Sequence, residues 1–402
     1  MKVGQLDKIF DAVSKNNVFA NKSVLQTSHN PVSIPHRSKQ IEQVASILAP
    51  ALRGERTSNL FIYGQTGTGK TLSMQFVKNE MMKRAESESV PLRMEYLNCK
   101  LRKVSDTEYR ILAELIKKLG GEVPATGLPT NQVYSKFLEL AEKQEKLIVL
   151  VLDEIDQAVK KISDNFLYNL TRLNSELSKT QISLVGISND LKFLDSLDPR
   201  VRSSLGEEEI VFSPYNAIQL QEILKERADL AFKTGVLEEG VLSKCAAYAA
   251  REHGDARRAL DLLRIAGELA EREGKEKVRI DHVDQANDKI DRDKIVDIVE
   301  SAPKQFQLTL LAMVRILEQK KMDKIFTGDV YNIYSELCQK CKTEILTQRR
   351  ISDIIAEMDM LGLINARVIS KGRHGRTREI KLSLPERVFD RVKEVLQESL
   401  QI

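Results

Sequence analysis

The segment SNLFIYGQTGTGKTLSMQFVKNEMMKRA, residues 58–85, decides the fold class of this chain. It begins with a short apolar run (58–63), passes through a glycine-rich turn, and ends in a stretch whose apolar residues recur at helical spacing. Further apolar runs at 92–99, 147–153 and 181–188 alternate with helical patterns in the same way. Strands that alternate with helices predict a doubly wound α/β domain with a mostly parallel sheet.

After Pro214 the character of the sequence changes. Four helical patterns follow one another with no aliphatic strand between them, at 216–233, 238–252, 255–273 and 281–299. Helices without intervening strands pack on one another rather than on a sheet. The pattern predicts a separate small helical domain.

A third pattern begins beyond Pro303. It holds three predicted helices and two predicted strands, at about 305–320, 328–341, 347–361, 366–371 and 377–384. Three helices and a β-hairpin are the composition of a winged helix-turn-helix. The predicted domains therefore span 1–214, 215–302 and 303–402.

Composition and charge restrict the classes of protein that the chain can represent. Among its 402 residues, 62 are basic and 58 acidic, and the net charge of +4 gives no argument for a nucleic-acid or membrane partner unless positive charge is concentrated locally. No signal-peptide run and no stretch of membrane-spanning length occurs, so we expect a cytoplasmic protein without a membrane partner. Cys338 and Cys341 form a C-x-x-C that suits zinc or redox chemistry, but no second pair lies at ligand spacing, and we interpret them as ordinary helix cysteines.

The glycine-rich turn matches the phosphate-binding pattern G-x-x-x-x-G-K-[ST]. Its position between a strand and a helix lets backbone N–H groups and the helix N-terminus face an anion. Lys70 would reach the β- and γ-phosphates, and Thr71 would ligate Mg²⁺. The predicted nucleotide-binding residues of the loop are Gly64, Gln65, Thr66, Gly67, Thr68, Gly69, Lys70 and Thr71.

Polar residues after two later apolar runs suit the chemistry of such a site. Asp153 and Glu154 stand where a parallel sheet presents its carboxyl edge, Asp153 as a magnesium ligand and Glu154 as the base or water-orienting residue. Asp156 is interpreted as a bystander. Asn189 follows the run 181–188 and is able to hydrogen-bond the attacking water or the γ-phosphate. Arg257 lies at the start of a helix after a glycine, where its guanidinium could bind the phosphates. The alternative is that it is a solvent-exposed basic residue in the first turn of the helix.

The carboxyl-terminal third carries a second candidate site. Apolar residues at Ile351, Ile354, Ile355, Met358 and Leu361 predict one buried stripe on the helix 347–361. The opposite face begins after the predicted N-cap with side chains that suit base edges or phosphates: Gln348, Arg349, Arg350 and Ser352.

A basic hairpin follows that helix. Residues 367–381 contain six basic side chains and one acid, Glu379, so the hairpin has a local charge of +5. Glycines flank the tip of the hairpin. A basic, glycine-flanked tip suits phosphate contact or entry into a minor groove. The candidate DNA-binding residues here are Lys371, Arg373, His374 and Arg376.

The order of these motifs resembles the AAA+ ATPases and, within them, the archaeal origin-recognition and helicase-loading initiator family, whose relatives include the largest subunit of the eukaryotic origin recognition complex and its loader partner. The resemblance covers almost the whole chain. It is carried by IPHRSKQI (34–41), NLFIYGQTGTGKT (59–71), NCKLRKVSDTEYRILAEL (98–115), GLPT (127–130), VLVLDEIDQ (149–157), LVGISND (184–190), LDPRVRSSL (197–205), GDARRALDLL (254–263), TQRRISDIIAEMDMLGLI (347–364) and SKGRHGRTREIKL (370–382).

The resemblance implies three domains: an AAA+ P-loop NTPase domain with a parallel sheet, a helical lid domain and a C-terminal winged helix-turn-helix domain. It also implies that the protein binds ATP or ADP with Mg²⁺. It makes Asn189 the sensor-1 residue and Arg257 the sensor-2 arginine, and it places Ile34 to Arg37 near the adenine. An arginine finger is implied in LDPRVRSSL, where Arg200 and Arg202 compete for the role. It also implies an initiator-specific insertion near 100–120 that contacts duplex DNA. The candidate side chains of the insertion are Lys100, Arg102, Lys103 and Arg110, for which helix solubility is the alternative.

The resemblance therefore implies an ATP-dependent replication initiator at the nucleoid, with weak, switch-like ATP hydrolysis. Its implied partners are double-stranded origin DNA, the replicative minichromosome-maintenance helicase and a paralogous initiator on the same origin. Two rival functions share parts of the pattern: a Holliday-junction branch-migration motor, which requires a hexameric ring, and an ATP-gated winged-helix transcription regulator, which does not require the basic insertion.

Overall fold

A computed structural model of the protein describes residues 18–26, 29, 31, 33–100, 107–124, 127–320, 325–370, 376–384 and 386–402. The chain divides into two compact units, the first of which ends at Val283 and the second of which begins at Asp284. The predicted domain boundaries near 214 and 303 stay predictions. Among the described residues, no helix combines the length and the apolar character that crossing a membrane requires.

The first unit is built on a parallel five-stranded sheet of order β2-β3-β4-β1-β5. Its strands are β1 (Asn59–Tyr63), β2 (Leu92–Asn98), β3 (Leu147–Asp153), β4 (Gln181–Ser188) and β5 (Glu207–Val211). In the register, Asp153 pairs with Asn98 and Ile187, and Tyr63 pairs with Ser188. The carboxyl ends of four strands therefore meet at one edge of the sheet.

Helices cover both faces of the sheet. They are α1 (Ser38–Leu48), α2 (Lys70–Ser87), α3 (Glu108–Lys118), α4 (Thr130–Glu142), α5 (Ile155–Ile162), α6 (Asn165–Arg172) and α7 (Pro199–Leu205). Alternate residues of β3 enter two separate cores: Leu150 and Leu152 pack with residues of α3 to α7, whereas Val149 and Val151 pack with α1 and α2. A strand that is buried on both faces has no polar alternation, which explains its unbroken aliphatic sequence.

A second group of helices completes this unit: α8 (Ala217–Ala231), α9 (Val241–Arg251) and α10 (Ala256–Arg272). We refer to α8–α10 as the lid helices. The segment Val18–Gln26 lies against them, where the Phe19 and Phe232 rings pack at a tilt of 34° with centroids 4.7 Å apart. Gly267 of α10 leaves room for this ring pair, because a Cβ there would clash with the Phe19 ring.

The second unit holds a three-stranded antiparallel sheet of order β6-β8-β7. The helix α11 (Ile280–Ser301) leads into it, and its other elements are α12 (Lys304–Lys320), β6 (Ile325–Phe326), α13 (Thr327–Lys340), α14 (Gln348–Met360), β7 (Ile364–Ser370), β8 (Arg376–Leu382) and α15 (Glu386–Leu400). This composition confirms the predicted winged helix-turn-helix.

Most predicted elements are confirmed to within a few residues. The prediction missed β5, whose sequence EEEIV has no aliphatic run, and the helical pattern expected between β3 and β4 forms two helices, α5 and α6. The prediction also missed α1, α7, β6 and α15. Ile351, Ile354, Ile355 and Met358 are buried as predicted, but Leu361 is 45% exposed because α14 ends at Met360.

The cysteines are free. Cys338 is buried and Cys341 half-buried, and the described residues contain no group of three or more His, Cys, Asp or Glu side chains arranged to hold a metal ion. Burial raises the pKa of the Cys338 thiol.

Candidate functional site

The loop between β1 and α2 has the backbone shape of a phosphate cradle. Gly64, Gly67 and Gly69 all have positive φ, and α2 begins directly after the loop at Lys70. Gly67 is in contact with the lid helices: a Cβ there would lie 1.6 Å from Asp255 Oδ1. A side chain at residue 67 would therefore push the lid away from the loop.

Lys70 is buried inside this loop. Its Nζ donates to Gly64 O at 2.7 Å, to Gln65 O at 2.8 Å and to Asn189 Oδ1 at 2.9 Å. Burial lowers the pKa of Lys70 to about 8, although the Asp153 carboxylate opposes the shift. Since all three partners are neutral oxygens, an anion that enters the loop would favour the protonated lysine.

Asp153, at the end of β3, accepts three hydrogen bonds. Its Oδ2 accepts from Thr71 Oγ1 at 2.8 Å and from the Tyr96 hydroxyl at 2.6 Å, and its Oδ1 accepts from the Glu154 backbone N–H at 2.9 Å. Burial, together with the Asp153 charge, raises the pKa of Tyr96, so this hydroxyl stays a donor. Asp153 is 3% exposed and therefore holds one orientation.

Glu154 lies at the same edge in an unusual backbone conformation. Its φ is 56° and its ψ is 41°, in the left-handed region that non-glycine residues seldom adopt. Its Oε2 lies 3.4 Å from Lys100 Nζ. The structure therefore places Lys100, a predicted DNA-binding residue, beside the predicted base, with 70% of the lysine side chain exposed.

Asn189 follows β4 and lies between Lys70 and a buried acid. Its backbone N–H donates to Asp156 Oδ1 at 3.4 Å, and Asp156 is 1% exposed. The sequence suggests a bystander role for Asp156, but its carboxylate accepts a hydrogen bond from the residue that contacts Lys70.

The lid helices reach the phosphate-binding loop through the start of α10. Asp255 caps this helix by accepting from the Arg257 N–H at 2.7 Å, and the Ala256 N–H donates to Gly67 O at 3.2 Å. Arg257 thus lies in the first turn of α10, exposed and on the wall of the adjoining cavity.

A cavity of about 480 Å³ joins these groups. Its lining includes the polar side chains Lys70, Thr71, Asp153, Glu154, Asn189 and Arg257 and the apolar or aromatic side chains Ile34, Pro35, Tyr215, Ile223 and Leu260. The lining therefore combines cationic side chains and a pair of oxygen ligands with apolar surface. The combination fits a ligand with an anionic, metal-binding end and a flat apolar end.

Several predicted site residues lie elsewhere. Arg37 lies behind the loop, where its Nε donates to Thr68 O at 2.8 Å. Arg200 and Arg202 of α7 are 85% and 47% exposed, and each pairs with a neighbouring acid, Asp198 and Asp195. Neither arginine is among the described residues that line the cavity.

In the second unit, the polar face of α14 is accessible. Gln348, Arg349 and Arg350 are exposed and Ser352 is half-buried. Thr347 is the N-cap, as predicted, since its Oγ1 accepts from the Arg350 N–H at 3.4 Å.

The wing partly lies outside the described residues, which exclude Lys371, Arg373 and His374. Arg376 begins β8, and Arg378 Nη1 donates to Ser352 O at 2.6 Å, joining the wing strand to α14. In the insertion, Arg102 and Lys103 lie outside the described residues, and Arg110 is half-buried in α3.

Sequence reasoning missed three residues of the nucleotide-side site. They are Tyr96, Asp156 and Asp255, which orient Asp153, Asn189 and the first turn of α10. Asp255 carried a readable signal, because an aspartate before a helix is a good N-cap. Tyr96 is an ordinary β2 residue in the sequence, and only the strand order brings it to Asp153.

Comparisons with known proteins point to the same family along the whole chain. Family models match three segments: an "AAA domain" over residues 53–194, a "Cdc6 AAA+ ATPase-type lid domain" over 221–288 and a "CDC6, C terminal winged helix domain" over 297–392. An ORC1-type DNA replication protein of Pyrococcus abyssi is 51% identical over 94% of this chain and 91% of its own length. The ORC1-type DNA replication protein 1 of Methanosarcina mazei is 48% identical over 96% of this chain and 92% of its own length.

A solved structure shows the same architecture. The Aeropyrum pernix ORC1 protein in complex with DNA superposes with a TM-score of 0.83 at 42% identity and covers 96% of this chain and 98% of its own. The match spans the parallel-sheet domain, the lid helices and the winged helix. The chain therefore belongs to the ORC1/Cdc6 family of AAA+ DNA replication proteins.

Proposed function

We propose that this protein is an ATP-dependent initiator that binds origin DNA and recruits or loads the replicative helicase, with slow ATP hydrolysis as a switch. The observation that carries the nucleotide part is the convergence of Lys70, Thr71, Asp153, Glu154 and Asn189 on one cavity beneath the lid helices. Family membership supports the DNA part.

Each residue at the cavity has a chemical task in this proposal. The N–H groups of residues 64–71 and Lys70 bind the β- and γ-phosphates. Thr71 and Asp153 supply oxygen ligands for Mg²⁺, which when bound would neutralise phosphate charge. Glu154 orients water, and Asn189 positions that water or the γ-phosphate. Arg257, carried by the lid, contacts the phosphates and so makes lid orientation depend on the nucleotide.

Apolar residues of the cavity lining suit the base. They include Ile34, Pro35 and Ile223. We assign the adenine of ATP or ADP to these residues. Arg200 and Arg202, which are exposed on α7, are the two candidates for an arginine finger.

The DNA part rests on the winged helix and the insertion. The related Aeropyrum pernix ORC1 protein has a structure in complex with DNA. In this chain, the exposed start of α14 and the basic wing supply the side chains that major-groove and phosphate contacts require. Lys100, Arg102, Lys103 and Arg110 of the insertion are the second proposed contact.

The proposed partners are the minichromosome-maintenance helicase and a paralogous initiator on the same origin. Membership of the ORC1/Cdc6 family favours this function over a branch-migration motor and over a transcription regulator. Sedimentation of the ATP-bound protein tests the choice, because a stable monomer on duplex DNA is incompatible with a ring motor.

Tyr96→Phe should raise the Mg²⁺ concentration that ATP hydrolysis requires. The variant removes the hydroxyl that donates to Asp153 Oδ2 and leaves the ring in place. Loss of such a supporting hydrogen bond costs about tenfold or more in metal affinity. Titration of hydrolysis with Mg²⁺ measures the change. Tyr331→Phe, which removes a hydroxyl bonded to Leu346 O in the second unit, is the control and should leave the titration unchanged.

Arg373→Ala combined with Arg376→Ala should weaken DNA binding on every sequence. Each lost phosphate contact reduces the slope of log affinity against log salt by about 1, so the double variant should lower it by about 2. Fluorescence anisotropy at several salt concentrations measures the slope. Arg391→Ala in α15, an exposed arginine paired with Glu394, is the control. An unchanged slope in the double variant would contradict wing contact.

A further inference from the structure

The buried arginine before α1 makes contacts that a base-binding residue would not make. Arg37 is 3% exposed, and its Nη2 donates to Ser213 O at 2.6 Å while its Nε donates to Thr68 O at 2.8 Å. Thr68 belongs to the phosphate-binding loop. Ser213 belongs to the linker that joins β5 to the first lid helix, α8. One guanidinium therefore bridges two backbone segments that approach the cavity from different elements.

Two aromatic rings lie close to the guanidinium. The Arg37 Cζ lies 3.8 Å from the centroid of the Tyr215 ring and 5.5 Å from that of Phe212. Both rings belong to the same linker, and Tyr215 also lines the cavity. The Tyr215 N–H in turn donates to Gly254 O at 3.3 Å, next to Asp255 and the start of α10. The contacts run without a break from the loop through Arg37 and Tyr215 to the helix that carries Arg257.

The direction of the Thr68 carbonyl gives these contacts a consequence for binding. A loop that binds an anion through its N–H groups must turn its carbonyl groups away from that anion. Lys70 engages the carbonyls of Gly64 and Gln65, and Arg37 engages that of Thr68 from behind. In the described part of the chain, no carboxylate hydrogen-bonds to Arg37, so its charge also adds positive potential behind the loop.

We propose that Arg37 is a positioning residue for nucleotide binding, which holds the Thr68 carbonyl back and ties the phosphate-binding loop to the linker that leads to the lid. This inference rests on the proposed nucleotide function and deepens it. It replaces the expected contact between Arg37 and adenine with an action through Thr68, Ser213 and Tyr215. The proposed contact with the base remains with Ile34 and Pro35.

Two substitutions distinguish the contribution of the Arg37 charge from that of its two-pronged guanidinium. Arg37→Lys keeps the charge but can reach only one of the two carbonyls, whereas Arg37→Gln removes the charge as well. We expect ADP affinity to fall about tenfold in Arg37→Lys and roughly 100-fold in Arg37→Gln. The ratio of ADP affinity to GDP affinity should match the wild-type ratio in both variants, because Arg37 does not contact the base.

Isothermal calorimetry with ADP and GDP, in the presence of Mg²⁺, measures these quantities on the full chain. Arg53→Lys is the matched control, since Arg53 is exposed and pairs with Glu55 at the surface. Melting without nucleotide shows whether each variant is folded; if Arg37→Gln does not fold, the graded loss in Arg37→Lys decides. Wild-type ADP affinity in a folded Arg37→Lys, or an altered ADP-to-GDP ratio, would overturn the inference. If the wild-type protein bound neither nucleotide, the proposed function itself would be wrong.

Discussion

Lys70→Ala should abolish productive nucleotide binding. The variant removes a buried cation whose three neutral partners can be exchanged for phosphate oxygens. A hydrogen bond to a charged group contributes about 1.5–3 kcal/mol, and Lys70 would make two, so the loss of affinity should reach about 100-fold or more. Calorimetric titration with ADP and ATP measures it.

Lys83→Ala is the matched control for that experiment. Lys83 lies on the same helix, α2, but it is 72% exposed and pairs with Glu80 at the surface. Its replacement should leave nucleotide affinity within the error of the titration, because surface ion pairs contribute little. Wild-type ADP and ATP affinity in a folded Lys70→Ala variant would contradict the assignment of residues 64–71 as the phosphate site.

Glu154→Gln should keep ATP bound and stop its turnover. The amide has the shape of the carboxylate but cannot accept a proton from water. General-base catalysis contributes about 10²–10⁴ in rate, and hydrolysis should fall by that factor while the affinity for ATP changes little. Single-turnover hydrolysis of bound ATP separates the chemical step from binding.

A second glutamate provides the comparison for Glu154→Gln. Glu145 is 61% exposed, pairs with Lys179 and does not belong to the described cavity wall, so Glu145→Gln should hydrolyse ATP at the wild-type rate. Unimpaired hydrolysis in Glu154→Gln would remove Glu154 from its proposed role.

The nucleotide-side site could be predicted where its residues belong to a local pattern. Lys70 and Thr71 follow from one loop motif, and Asp153 and Glu154 follow from an aliphatic run that ends in acids. The structure brings all four to one cavity. Tyr96 could not be predicted, because its contact with Asp153 depends on β2 lying beside β3 in the sheet. The contacts of Arg37 equally depend on a linker more than 170 residues later in the chain.

In the fold, too, elements with a local sequence pattern could be predicted, and elements without one could not. The strands β1, β3 and β4 are confirmed because burial on both faces requires unbroken apolar runs. The edge strand β5 has three consecutive glutamates and so lacked that signal. Leu361 fits the apolar spacing of α14, but the helix ends one residue earlier, at Met360. Apolar spacing alone does not mark the end of a helix.

In the proposed initiator, the bound nucleotide sets the orientation of the lid, and we expect it also to control binding to origin DNA. Footprinting of the protein on its own chromosomal origin regions, with ATP and with ADP at physiological salt, tests it most directly. We predict protection of origin sequences over scrambled duplex, with a pattern that differs between ATP and ADP and loses that difference in Lys70→Ala. Equal protection of origin and scrambled DNA, unchanged by nucleotide, would contradict the account.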